Sequence, residues 1–147
     1  MIYVTLPTGQ DQGFDDPSQV PAGSTPLTFE QFAARATALS ASQIQAQLRA
    51  ACGQAITSGF TSSALGTPNT YPSDQPNQLN QNGAAAAPSG GGLWCSASAS
   101  ALTPHTQAQA AQVCADRMTW VTKCQTQLRT LLGQVEPGSS VTWSNPT

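Results

Sequence analysis

The chain has 147 residues, only 8% of them charged, and seven acids against five bases leave a net charge of −2. That balance gives no basic face for phosphate, so no nucleic-acid partner is expected. No apolar run approaches the ~20 residues that span a bilayer, so no membrane partner is expected either. Gln, Ser, Thr, Asn and Ala must cover the surface, which suits a protein that lives in an assembly. Hydrophobic residues make up 39%, much of it alanine, so the core is thin and some apolar surface is expected to be buried against a partner. The first ten residues have neither a basic n-region nor an apolar h-region, so no signal peptide is expected.

Residues 1–27 read as an extended N-terminal arm. Ile2, Tyr3 and Val4 form a short β-prone run. Pro7, Gly9, Gly13, Pro17, Pro21, Gly23 and Pro26 follow, a density of breakers that argues against regular structure. Asp11, Asp15 and Asp16 make the stretch acidic, but they lack the alternating spacing of a calcium loop and read as a solvated turn. Ile2, Tyr3, Val4, Leu6 and Phe14 stand in a segment without a core of its own. They are candidates for docking onto a partner by β-augmentation.

Residues 28–147 read as one small α+β domain, mainly α. Two or three helices pack with a β- and turn-rich insert and a short C-terminal strand. The span 28–58 is helical: Thr28 and Gln31 form a capping box, and Phe29, Phe32, Ala36 and Leu39 follow at helical spacing. Ser40 and Gln43 make a second box, which either starts a new helix or marks a bend. Ile44 and Leu48 continue an apolar face, and Gly59 is a plausible stop. The span 59–103 is β- and turn-rich. Phe60 and Leu65 anchor a short β-segment, Tyr71 anchors the proline-rich turns, and a flexible loop covers 82–92. Trp94 is expected to seal a small core.

The strongest pattern is a long helix over 104–135, with Thr103 as its N-cap, Pro104 in its first position, and Gly133, Pro137 and Gly138 ending it. Cys114, Met118, Val121, Gln125, Leu128, Leu132 and Val135 alternate steps of four and three. That is a heptad seam with one polar member, facing either the core or symmetry mates of a trimer in which Gln125 sets the register. Trp120, Cys124 and Leu131 form a flanking stripe. Residues 139–145, with Ser140 to Trp143, read as a terminal strand.

Chemistry-bearing groups are few. Cys52, Cys95, Cys114 and Cys124 are separated by 42, 18 and 9 residues, so no close pair suggests a zinc site, and they read as small buried apolar residues. His105, the single histidine, falls in the first turn of the long helix, eleven residues before the nearest carboxylate, Asp116. No nucleophile elbow or phosphate loop is present. No catalytic residue, metal or cofactor is expected, and the chain reads as a non-enzyme.

The middle of the chain resembles a domain-of-unknown-function family of bacteriophage tail-fibre assembly and tail-associated proteins. The resemblance rests on Gly59, Phe60, Leu65 and Gly66 in the run from Ile56 to Gly66, then on Tyr71, Asp74 and Gln75. It continues with Leu93-Trp94-Cys95, the His105-Thr106 helix start and the closing Trp143, covering about residues 40–147. It implies a non-enzymatic protein, made in the host cytoplasm and located in the virion tail. Such a protein is a small fibre component or an assembly chaperone, with tail-fibre or baseplate proteins as partners. A soluble module that binds carbohydrate or a host-surface polymer is the alternative.

Overall fold

The computed structural model describes residues 1–136 and 139–147, with the backbone alone at 37–40. Among the described residues, three α-helices and three small antiparallel sheets make an α+β fold. It divides into two compact units: Met1–Ala46 with Gln134–Val141, and Gln47–Gly133 with Thr142–Thr147.

In the first unit, strands β1 (Ile2–Thr5), β2 (Asp11–Phe14) and β3 (Thr25–Leu27) form a sheet in the order β2-β1-β3. The extended arm expected for 1–27 is therefore a sheet. The breakers punctuate it instead of dissolving it. Between β1 and β2 the chain turns through Leu6 N–H to Gln10 O (2.7 Å) and Gly9 N–H to Leu6 O (2.8 Å). Asp16 caps a 3-10 turn at Pro17–Gln19, and the N–H of Ser18 holds its carboxyl below the ordinary value. Pro26 has no N–H to give, which an edge strand tolerates. Strand β1 is paired on both sides, Ile2 with Phe14 and Tyr3 with Leu27, and Val4 is buried. Its residues cannot take an added strand, so the docking reading of Ile2, Tyr3 and Val4 is corrected.

Helix α1 (Phe29–Ser58) starts as expected: Thr28 N–H donates to Gln31 Oε1 (2.9 Å) and Gln31 N–H to Thr28 Oγ1 (3.1 Å). Its first turns meet the sheet where the Tyr3 ring lies 5.5 Å from Phe29 and 4.7 Å from Phe32. Arg35 donates to Thr5 Oγ1 (2.7 Å) and pairs with Asp11 (3.0 Å). The helix is one element through Ser58; the Ser40 side chain of the second capping box lies outside the described residues.

The second unit holds the end of α1, the pair β4 (Phe60–Ser62) and β5 (Asn69–Tyr71), helix α2 (Gln75–Ala86), the pair β6 (Gly91–Cys95) and β7 (Ser98–His105), and helix α3 (Gln107–Leu132). Helix α2 corrects the turn-rich reading. Asp74 accepts from Asn77 N–H (3.1 Å), Pro76 sits in the first turn, where no N–H is needed, and alanines carry the helix on. The expected flexible loop at 82–92 is thus the last turns of α2, a short link and the start of β6. Gly90 in that link has φ +71°, and a Cβ there would run into the His105 carbonyl.

Helix α3 starts later than expected. Thr106, not Thr103, is the N-cap, in a reciprocal box with Gln109 (3.2 and 2.9 Å). Thr103 and Pro104 instead lie in β7, opposite Leu93 and Gly92. Gly133 caps the end; Pro137 and Gly138 lie outside the described residues. Among the described residues 139–145 there is no strand, so the terminal strand expected there is corrected. Trp143 packs instead against Cys52, Ala55 and Cys124.

The buried row of α3 is Ala110, Val113, Arg117, Cys124 and Leu131. The predicted seam is not that row. Met118 is 56% exposed, Gln125 is exposed, and Cys114, Val121, Leu128, Leu132 and Val135 are partly buried. Counting large apolar residues misplaces the face by a fraction of a turn, because a small residue and an arginine occupy part of the inward row.

Candidate functional site

Four of the residues that carry the family resemblance, Gly59, Phe60, Tyr71 and His105, meet in one core. Gly59 has φ +128°, and a Cβ there would stand 2.7 Å from the Tyr71 carbonyl oxygen, so only glycine lets the chain leave α1 this close to β5. The Phe60 ring stacks on Tyr71 at 5.7 Å. These two, with Ala84, Leu93, Cys95, Ala110 and Val113, form the main core, and Leu65 packs against it. Tyr71 is fully buried and its hydroxyl lies 2.8 Å from His105 Nε2. His105 is buried at the end of β7, not in a helix turn as the sequence suggests. Its Nδ1 lies 2.8 Å from Thr103 O. A carbonyl only accepts, so Nδ1 carries the proton, and in that tautomer Nε2 accepts from Tyr71. Burial, with smaller contributions from Cys95 and Asp116, pushes the Tyr71 phenol up to about 12. This pair is closed from solvent and organises the core.

A second polar cluster ties α2 to α3. Arg117 is 6% exposed and donates to Gln81 Oε1 (2.7 Å), Asn82 Oδ1 (2.7 Å) and Gln78 O (3.3 Å). All three partners are uncharged oxygens. Gln81, itself buried, donates to Pro72 O (2.9 Å), and Gln78 donates to Ser73 O (2.6 Å). The guanidinium thus fixes α2 and the turn before it. Asp116 points elsewhere: it accepts from Ser62 Oγ and from Gln112 Nε2 (2.8 Å).

Beside the core, a groove of about 500 Å³ is lined by Thr61, Thr70, Asp116, Thr119, Trp120 and Lys123, among others. The Trp120 indole N–H is held by Ala55 O (3.1 Å) and Lys123 donates to Thr147 O (3.1 Å). The groove thus offers one carboxylate, the ammonium of the one lysine, several hydroxyls and an indole. The first unit has a cleft of about 830 Å³ over Asp11, Phe32 and Arg35.

A family model matches residues 33–143. The chain belongs to the DUF4376 family, a domain of unknown function. No curated protein and no solved structure matches it. The DUF4376 match takes in both polar clusters and the whole of α3, while the β2-β1-β3 sheet lies outside it.

Within the DUF4376 span the other residues named for the resemblance lie in separate settings. Gly66 N–H closes a turn on Ser63 O (2.8 Å), Asp74 caps α2, and Gln75 is its first residue. Trp94 does not seal a core: it is 43% exposed, because β6 alternates and turns Leu93 and Cys95 inward. Cys52, Cys95 and Cys124 are buried and Cys114 partly so, all as thiols. Burial pushes the thiols of Cys52, Cys114 and Cys124 up, away from nucleophilic reactivity. Among the described residues no cluster of His, Cys, Asp or Glu could hold a metal, and no helix is long and apolar enough to cross a membrane. Outside the DUF4376 match, Leu6 and Phe14 are partly buried at the ends of β1 and β2.

The sequence reading missed Arg117 and its amide partners. The only available sign was Asp74 followed by Asn77, a cap that announces a helix and with it the polar row Gln78, Gln81 and Asn82.

Proposed function

We propose that this chain is a bacteriophage tail protein. It is made in the host cytoplasm, binds a tail-fibre or baseplate partner, and acts as a small structural component or an assembly chaperone. The observation that carries the reading is the convergence of Gly59, Phe60, Tyr71 and His105, all part of the resemblance to tail-associated proteins, on one buried core. The charge-poor, amide-rich surface favours the permanent component, since neutral surfaces repel neighbours only weakly. The test is the protein composition of mature particles.

The groove on the second unit favours a second reading, a module for carbohydrate or host-surface polymer. An indole beside hydroxyls, a carboxylate and an ammonium can stack on and hydrogen-bond a sugar. Titration with host polysaccharide should then quench tryptophan fluorescence saturably, and the signal should vanish in Trp120→Phe. An unchanged spectrum across the titration removes this reading.

A further inference from the structure

The groove beside Trp120 does not end at Thr70. A second hollow, of about 490 Å³, lies against it and is lined by Pro72, Trp94, Ser96 and Ser98, among others. Ser58 and Thr70 line both hollows, so the two make one strip with an indole in each half. All of its lining belongs to the second unit. The strands set this arrangement. Strands β4 and β5 turn Phe60 and Tyr71 inward, which leaves Thr61 and Thr70 side by side on the outer face. Strand β6 alternates in the same way, and Trp94 stands outward between the buried Leu93 and Cys95.

The joint between β5 and β6 is closed from within. Ser96 N–H donates to Thr70 O (2.9 Å) and Thr70 N–H to Ser96 Oγ (2.9 Å). Main-chain groups at the joint are spent on each other, so a peptide adding through its backbone finds none open there. The strip presents hydroxyls and indoles instead. Its two charged residues, Asp116 and Lys123, fall in the Trp120 half, and among the described residues none that lines the Trp94 half is charged. We propose that the strip holds an extended, uncharged polysaccharide, a β-linked glucan of the cellulose type, with one ring stacked on Trp94 and others of the same chain in the Trp120 groove. A pyranose with equatorial hydroxyls has a flat C–H face that suits an indole and a rim of hydroxyls that suits Ser and Thr. β-linked rings stay extended, which a shallow, open strip accommodates. The proposal rests on the carbohydrate reading of the Trp120 groove and goes beyond it: Trp94 adds a second stacking position, so the ligand is a chain of several sugars and not a single one.

The test is titration of the isotope-labelled full chain with cellobiose and with cellohexaose, followed by the indole N–H signals of the tryptophans. Cellohexaose is expected to move the Trp94 and Trp120 signals together and saturably, and to bind about tenfold more tightly than cellobiose, the gain of burying one more ring face. Trp94→Ala, a change at an exposed side chain that should leave the circular dichroism unaltered, should bring cellohexaose down to the cellobiose level. Leu79→Ala, equally exposed but on α2, should leave both affinities as they are. Binding that moves only the Trp120 signal, with the same affinity at both lengths and in Trp94→Ala, overturns the second position and leaves the groove reading standing. No shift with either sugar overturns the glucan proposal, while the fluorescence titration with host polysaccharide decides the groove reading separately. A free chain that self-associates, and becomes monomeric in Trp94→Ala, would make this face a contact between copies and overturn the proposal as well.

Discussion

Replacing Arg117 by methionine is expected to lower the stability of the second unit by about 3 kcal/mol, read as a lower urea midpoint. Methionine fills much of the same volume, so the loss is not a cavity. It strands the buried Gln81 side-chain oxygen and takes a donor from the partly buried Gln78 carbonyl, while the exposed Asn82 oxygen can turn to water. A buried acceptor left without a donor costs about 1–3 kcal/mol. Part of that is offset, because a guanidinium with only neutral partners is itself expensive to bury, at several kcal/mol. Arg117→Lys should recover only part of the difference, since one ammonium cannot span three acceptors in a fork. A midpoint unchanged in Arg117→Met would mean that the cluster does not hold α2 against α3.

Tyr71→Phe is expected to cost about 1–3 kcal/mol near neutral pH, because it leaves the buried His105 Nε2 without its donor. It should also change how stability depends on alkali. The phenol ionises near 10 when unfolded and is pushed up to about 12 in the fold. A raised pKa here means that the fold favours the protonated phenol. Its contribution is complete below pH 10 and is lost as pH rises from there through about 12. Wild-type stability should therefore fall across that window by roughly 2–3 kcal/mol more than that of Tyr71→Phe. Parallel curves for the two proteins would show that Tyr71 meets solvent in the fold.

How much of this was legible depends on what kind of signal each element uses. The Thr28–Gln31 cap could be read because a cap is a local event, complete within four residues. The buried aromatic anchors Phe60 and Tyr71 could be read because large side chains in a thin core have few other places to go. Helix α2 was illegible because it packs through amides: its buried residues are Gln81 and Ala84, which leave no apolar period to count. The N-terminal sheet was hidden because its strands are three or four residues long, too short for alternation to outweigh the prolines and glycines around them. The inward row of α3 could not be counted from apolar residues because it includes Arg117, which bonds across to α2. His105 was assigned to a helix because Thr103-Pro104 and Thr106 both read as helix starts. Pairing of β7 with β6, which sequence spacing does not reveal, decides for Thr106.

Quantitative mass spectrometry of purified mature phage particles bears most directly on the proposed role. The chain is expected at a fixed, small multiple of the tail-fibre protein, and the same ratio should recur between preparations. Its absence from particles that remain fully infectious when made without it would contradict a tail role, as component and as chaperone alike.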